Sequence, residues 1–123
     1  MSADATVHLT GVSGRSYSYL AFPITARFKP KPGNVVVVRK EGQAYLPLLV
    51  GETENLAAYA GLPMVRACIL QQGATHLCIH GSVVGPELRQ AEAYDLEAAL
   101  RPPGNVASPP AMGPAQRPIS LAS

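Results

Sequence analysis

The chain has 123 residues, of which 47% are hydrophobic and 15% are charged, and its formal net charge is +2. This length suits one modest domain rather than two, and the apolar share is sufficient for a packed core. No apolar run approaches the length of a membrane-spanning helix, and residues 1–5 have neither the basic nor the apolar region of a secretory signal. We therefore expect a cytoplasmic protein without a membrane partner.

The charges are distributed unevenly along the chain. Residues 1–40 contain Asp4 as their one acidic residue and six basic ones, which are Arg15, Arg27, Lys29, Lys31, Arg39 and Lys40. Residues 41–100 reverse this balance, with seven acidic side chains against two arginines. A basic surface can bind a phosphate backbone because neutralising phosphates releases condensed counterions. The alternative interpretation is a solvated charged face that the acidic helices partly balance.

The first predicted elements are two strands and a loop. Residues 7–10 and 17–22 are rich in strand-forming residues, and the glycine-containing segment 11–15 between them predicts a hairpin turn. The connection at 23–32 contains three prolines, which remove backbone donors and restrict the preceding residue. We expect an irregular loop there, which would present its three basic side chains to solvent.

Two further strands are predicted in the middle of the chain. Residues 35–38 are four consecutive valines, and residues 45–50 form a second apolar run. Unbroken apolar runs of this length favour central strands that are covered on both faces. Pro47 restricts the predicted central strand to the second half of this run, because proline cannot donate a hydrogen bond to a neighbouring strand.

Three helices and one strand are predicted between residues 55 and 100. Thr53 is a candidate N-cap for a short first helix. Pro63 is a candidate first residue of a second helix, and Gly73 is predicted to end that second helix. The predicted elements are a helix at 55–59, a helix at 63–72, a strand at 75–80 and a helix at 86–100.

The helix at 86–100 has apolar residues at a spacing of three to four, beginning at Leu88 and including Leu96. Its acidic residues are interpreted as a solvated face. Asp95 and Glu97 lie about 200° apart around the helix axis, so they cannot form a pair for acid–base catalysis.

After Arg101 the composition changes to proline, alanine, glycine and serine, with six of the twelve prolines lying between 102 and 118. Such a segment buries too little apolar surface to offset the entropy of ordering. We predict that residues 106–123 form a disordered tail.

The cysteines and histidines suggest a metal site only weakly. Cys68 and Cys78 are too few for a disulfide framework and are predicted to be buried thiols. His76, Cys78 and His80 alternate along one strand and would project from one face. Three such positions span about 13 Å, which is too wide for one tetrahedral Zn²⁺ ion. Packing in the sheet is therefore the preferred interpretation.

Two segments resemble the GIY-YIG nuclease family. The first is Leu-Leu-Val-Gly-Glu-Thr-Glu-Asn-Leu at 48–56, and the second is Asp-Leu at 95–96 followed by Arg-Pro-Pro-Gly-Asn at 101–105. The resemblance covers roughly residues 16–105. It implies an α/β domain with a small, mainly antiparallel central sheet flanked by helices. In this chain an N-terminal hairpin that starts within residues 1–15 would precede that domain.

The resemblance also implies that the reactive groups of the family are replaced. Gly33-Asn34-Val35 stands in place of the family's Gly-Ile-Tyr, and Leu49-Val50-Gly51 in place of its Tyr-Ile-Gly. The helix arginine that the family aims at the scissile phosphate corresponds to Tyr59, and its metal-binding glutamate corresponds to Ala93. A missing phenol, guanidinium and carboxylate would each weaken phosphodiester hydrolysis.

The leading hypothesis is a catalytically degenerate GIY-YIG-like binding module that needs no cofactor. Its suggested ligand is DNA or another nucleic acid, bound through the six basic residues of the first forty. One alternative is a divergent, Mg²⁺-dependent, structure-specific DNA endonuclease with Glu92 as metal ligand and Tyr45 or Tyr59 as the phenol. Another is a module that binds a protein partner and no nucleic acid.

Overall fold

The computed structural model describes residues 3–81 and 85–105. The strands are β1 (Ala5–Thr10), β2 (Ser16–Pro23), β3 (Gly33–Glu41), β4 (Ala44–Thr53) and β5 (His76–His80). The helices are α1 (Leu56–Tyr59), α2 (Pro63–Gln72) and α3 (Pro86–Leu100), and a 3₁₀ turn follows at Pro103–Asn105. The predicted α/β class is confirmed, whereas the tail predicted at 106–123 lies outside the described residues. Within residues 3–81 and 85–105, no helix has both the length and the apolar character of a membrane span.

The five strands form one sheet in the order β1-β2-β5-β3-β4, and every neighbouring pair is antiparallel. β2 and β3 both pair with β5 between them, so they run parallel to each other. Their connection must therefore return across one face of the sheet. Phe28 in this connection packs edge-on against Phe22, with ring centroids 5.3 Å apart, and both belong to the core on the side of α2. The N-terminal hairpin is confirmed as β1 and β2.

The alternation of side chains along β3 separates two hydrophobic cores. Val36 and Val38 face α3, while Val35 and Val37 face α1 and α2. We call these the α3-side core and the α2-side core. The main further members of the α3-side core are Val7, Leu9, Tyr19, Ala21, Val50, Cys78, Leu96 and Leu100. Those of the α2-side core are Leu48, Leu49, Leu56, Tyr59, Val65, Cys68, Leu77 and Ile79. The run of valines is thus a central strand, as predicted.

The prediction that residues 45–50 form a central strand is wrong. β4 is an edge strand, and it includes Pro47, which pairs with Val38 beyond a register shift. An edge position tolerates proline because one side of the strand has no neighbouring ladder. The side-chain amide of Asn105 covers part of this edge. Its Oδ1 accepts from Val50 N at 2.7 Å, and its Nδ2 donates to Val50 O at 2.8 Å.

The ends of α2 and α3 agree with the sequence prediction, but the start of α1 does not. Gly73 ends α2 in the left-handed region at φ 70°, where glycine has no Cβ to crowd the backbone. Thr53 is still part of β4, and its Oγ1 accepts a hydrogen bond from the backbone N–H of Asn55 at 3.0 Å. The helix therefore begins one residue later than predicted, at Leu56, and its N-cap is Asn55 rather than Thr53.

The buried face of α3 differs from the predicted one by about one residue. Leu88 is 61% exposed, whereas Arg89 and Glu92 are buried together with Leu96 and Leu100. The interpretation of Glu92 as part of a solvated face is therefore wrong. Burial of these two charged side chains is possible because the sheet presents polar partners to both of them.

We predict that Asn105→Ala lowers the free energy of unfolding by about 2 kcal/mol, because it leaves the backbone N–H and C=O of Val50 without partners. Urea denaturation followed by circular dichroism measures this loss. The control is Asn55→Ala, since the Asn55 side chain is exposed and makes no capping hydrogen bond. Equal stability of the two variants would contradict the proposed role of Asn105 at the edge.

Candidate functional site

Four polar residues form a row across the α3-facing side of the sheet. Asn34 of β3 is the register partner of both His80 on β5 and Glu52 on β4. On the other side of His80 lies Tyr19 of β2, with ring centroids 5.3 Å apart. We call Tyr19, His80, Asn34 and Glu52 the polar row. Since α3 lies over this row, its side chains there must be polar as well.

Glu92 of α3 contacts Tyr19 and His80, which form one end of the polar row. Its Oε2 accepts from the Tyr19 hydroxyl at 2.5 Å and lies 2.8 Å from His80 Nδ1. An ionised carboxylate can only accept, so in that state the proton of the imidazole lies on Nδ1. Burial raises the pKa of Tyr19, and the hydrogen bond to Glu92 raises it further. Tyr19 therefore remains a donor at neutral pH.

Arg89 of α3 contacts Glu52 and Asn34, which form the other end of the polar row. Its Nε lies 3.1 Å from Glu52 Oε1, and a terminal nitrogen lies 3.6 Å from Glu54 Oε1. Its backbone carbonyl accepts from Asn34 Nδ2 at 2.9 Å. Asn34 Oδ1 has no hydrogen-bond partner in the described part of the chain. Charged groups of both signs thus hold α3 against one end of the sheet.

Asp95 ties the turn between β1 and β2 to α3. Its carboxylate accepts from Ser13 N at 2.8 Å, from Ser13 Oγ at 2.7 Å and from the Tyr17 hydroxyl at 2.7 Å. These bonds, with those from Ser13 first, hold the pKa of Asp95 below its ordinary value. A Cβ at Gly11 would lie 2.0 Å from Asp95 Oδ2, so a larger residue there would displace the Asp95 carboxylate from these hydrogen bonds.

The positions that the resemblance assigns to catalysis are packed in the protein interior. Val35, Leu49 and Tyr59 all belong to the α2-side core, and none is more than 4% exposed. Ala93 packs against the α3-side core on the opposite face of the sheet. None of these four side chains presents a carboxylate or a cation to solvent.

The three residues considered for a divergent nuclease do not converge. Tyr59 lies in the α2-side core with its hydroxyl against Gly51, where an added Cβ would lie 2.5 Å away. Glu92 is on the other face of the sheet. Tyr45 shares that face with Glu92 but lies beside His76, at the opposite end of β5 from His80. Glu92 therefore does not share a reaction centre with Tyr59, and Tyr45 lies at the other end of β5 from the residues that Glu92 contacts.

The environments of both tyrosines also oppose a role as general base. Burial raises the pKa of Tyr59 to about 12, and burial likewise raises the pKa of Tyr45. At pH 7 a phenol with a pKa of about 12 is ionised in roughly one molecule in 10⁵. Phenolate at either position is therefore a minor species.

The donor set does not fit the Mg²⁺ ion that the resemblance implies. Ala93 has no oxygen ligand to offer, and one oxygen of Glu92 is already bound to Tyr19 and His80. Among residues 3–81 and 85–105, no three His, Cys, Asp or Glu side chains are grouped as metal ligands. These side chains therefore do not fit the Mg²⁺ site of that family.

His76, Cys78 and His80 project from one face of β5, as predicted, but each has a different environment. His76 Nε2 lies 2.9 Å from Asp4 Oδ2, whereas His80 bonds to Glu92. Cys78 is buried between them, and burial raises the pKa of its thiol to about 12. Packing and local hydrogen bonds therefore account for all three residues.

The basic residues of the first forty fall into separate places. Arg27, Lys29 and Lys31 are exposed along the connection from β2 to β3, while Phe28 between Arg27 and Lys29 packs against the α2-side core. This connection therefore presents three cations to solvent. We call residues 27, 29 and 31 the basic loop.

The other three basic residues lie outside this connection. Arg15 is exposed at the turn between β1 and β2. Arg39 pairs with Glu41 at 2.6 Å and donates to the carbonyl of Gln72 at 2.9 Å. Lys40 lies 5.9 Å from the centre of the Tyr45 ring. The six residues therefore do not form one continuous basic surface.

The sequence reasoning missed the polar row and the burial of Arg89. A signal was present, because residues 89, 92 and 96 are spaced as one face of a helix and Tyr17 and Tyr19 share one face of β2. That face contains charged residues, however, and their partners lie on four different strands. The pairing could be recognised only after the strand order was known.

Comparison of the chain with protein-family models, with curated proteins and with solved structures finds no match in any of the three. The resemblance to the GIY-YIG family therefore stays a prediction.

We predict that Glu92→Ala lowers the free energy of unfolding by about 3 kcal/mol, because it leaves the buried Tyr19 hydroxyl and the His80 N–H without their acceptor. Urea denaturation at pH 7 measures the effect. Glu87→Ala on the same helix is the matched control, since Glu87 is exposed. A loss no greater than that of the control would contradict the structural role of Glu92.

We further predict that stability falls between pH 10 and pH 12 and that Tyr59→Phe reduces this fall by about 2 to 3 kcal/mol. The folded state raises the pKa of Tyr59 from 10.0 to about 12. It therefore binds this proton more tightly than the unfolded chain, and its advantage is complete below pH 10 and decreases above it. Denaturant titrations at several alkaline pH values test the sign. An identical alkaline fall in both proteins would contradict the assignment.

Proposed function

We propose that this chain is a binding module on a GIY-YIG-like scaffold without hydrolytic activity, and that it binds nucleic acid through the basic loop. The observation that carries the proposal is the contrast between two sets of positions. The positions assigned to catalysis are apolar or buried, whereas Arg27, Lys29 and Lys31 are exposed cations on an anchored segment.

The loss of reactive groups supports the first half of the proposal. Valine and leucine have no proton to exchange with an attacking water, and alanine cannot bind a metal ion. Tyr59 adds no positive charge to stabilise a phosphoryl transition state. A scaffold that keeps its hydrophobic packing after these changes can still present a surface for binding.

The anchoring of the basic loop supports the second half. Ile24 N donates to Thr75 O at 3.2 Å, directly before β5, and Lys31 O accepts from Leu56 N of α1 at 2.9 Å, so both ends of the connection are held by backbone hydrogen bonds. Within the described residues, the side chains of the basic loop form no ion pair with a carboxylate. A phosphate backbone would meet cations whose charge is not already neutralised.

We predict that joint replacement of Arg27, Lys29 and Lys31 by alanine weakens binding to a short DNA duplex at least about tenfold and lowers the slope of log K against log salt by about 3. Each phosphate contact contributes about 0.9 to this slope, because it releases condensed counterions. Fluorescence anisotropy over a series of salt concentrations measures both quantities. Lys40→Ala is the control, because it removes an exposed cation beside Tyr45, outside the basic loop.

Two results would overturn the proposal. Cleavage of plasmid or branched DNA in Mg²⁺ or Mn²⁺ that is lost in Glu92→Gln would establish the divergent endonuclease instead. Affinity that does not change with salt, or that the triple variant leaves intact, would remove the basic loop from binding and favour the protein-interaction alternative.

A further inference from the structure

An open groove of about 590 Å³ lies between the turn that joins β1 to β2 and the outer side of α3. Val12, Leu88 and Tyr94 line it and are 70%, 61% and 72% exposed. They are three of the seven large hydrophobic side chains that the described residues expose, so apolar surface is concentrated here. Exposed apolar surface of this kind marks interaction sites in soluble proteins.

The walls of this groove are fixed before any ligand arrives. The backbone N–H of Val12 donates to the carbonyl of Asp95 at 3.1 Å, and Ser13 and Tyr17 bind the Asp95 carboxylate. Both oxygens of Asp95 are occupied by these bonds, so this residue shapes the groove rather than supplying a free acceptor. A preformed site loses little conformational entropy on binding.

The base of the groove includes a carboxylate oxygen that remains free to accept. Glu92 lines the groove and is only 6% exposed, and its Oε2 takes the bonds from Tyr19 and His80. Its Oε1 accepts no hydrogen bond from the described residues. Glu92 is thus a buried carboxylate on the lining of the groove, with one oxygen that has no hydrogen-bond partner among those residues.

We propose that this groove binds the arginine side chain of a partner peptide, with apolar residues of the peptide covering its rim. The guanidinium would donate to Glu92 Oε1, and its planar face would stack on the rings of Tyr17 and Tyr94. The apolar neighbours of that arginine would cover Val12 and Leu88.

The charge of the groove supports a cationic peptide rather than a phosphate backbone. Glu92 and Asp95 are two carboxylates against one cation, Arg15, among the residues that line it. The groove lies on the α3 side of the sheet, whereas the basic loop packs on the α2 side. The inference therefore does not depend on the proposed binding of nucleic acid.

The test uses the full chain, labelled with ¹⁵N, and the probe peptide acetyl-Leu-Arg-Leu-amide titrated to millimolar concentration. The amides of Val12, Ser13 and Ala91 are expected to shift. The matched peptide with citrulline keeps the shape and the N–H donors but removes the positive charge. It is expected to bind about tenfold more weakly, because its hydrogen bond to the carboxylate is no longer strengthened by charge on the donor. The corresponding lysine peptide is expected to bind more weakly than the arginine peptide, since it cannot stack.

Protein variants separate the contribution of the carboxylate from that of the rim. Glu92→Gln is expected to weaken the arginine peptide about tenfold and to leave the citrulline peptide unchanged. Glu87→Gln, with the same charge change on an exposed position of α3, is expected to bind like the wild type. Leu88→Ser alters only an exposed side chain and is expected to weaken both peptides severalfold, so it serves as a second test if Glu92→Gln does not fold.

Three outcomes would overturn the proposal. The first is the absence of shifts at the groove with the arginine peptide. The second is equal affinity for the arginine peptide and for either its citrulline or its lysine counterpart. The third is unchanged binding in a folded Glu92→Gln or Leu88→Ser variant.

Discussion

The position of α3 depends on the pairing of two buried charged side chains with the polar row. Glu92 bonds to Tyr19 and His80, and Arg89 pairs with Glu52. Breaking such a buried pair leaves an uncompensated charge, so rotation or sliding of the helix would be strongly unfavourable. Leu96 and Leu100 contribute apolar burial on the same face, but apolar contacts are less directional. The polar contacts therefore specify which residues of α3 face the sheet.

The two faces of the sheet differ in the chemical character of their buried side chains. The side of the sheet that faces α2 is apolar throughout its core, and it contains Val35, Leu49 and Tyr59. Those are positions at which a nuclease of the resembling family would need a reactive phenol or a cation. The buried charged side chains of Arg89 and Glu92 lie on the opposite face, where Glu92 accepts hydrogen bonds from Tyr19 and does not face Tyr59. One face of the sheet is thus covered by apolar packing, and a hydrogen-bonded network occupies the other.

The two proposed surfaces differ in charge, and they lie on opposite faces of the sheet. The basic loop returns across the α2 side because β2 and β3 run parallel with β5 between them. Its inward residues are apolar, so its cations face solvent. The groove lies beside α3, whose carboxylates face the N-terminal hairpin. Opposite charge on opposite faces would allow a phosphate backbone and an arginine-bearing peptide to bind without competing.

Local signals in the sequence determined most of the secondary structure. The valines of β3, the proline at the start and the glycine after the end of α2, and the bounds of α3 all follow from backbone preferences of individual residues. The tertiary structure alone decided that β4 is an edge strand and that Arg89 and Glu92 are buried. Hydrophobic spacing places charged residues outside, because burial of an unpaired charge is unfavourable. Their partners lie on strands distant in the sequence, and only the strand order brings those partners to one end of the sheet.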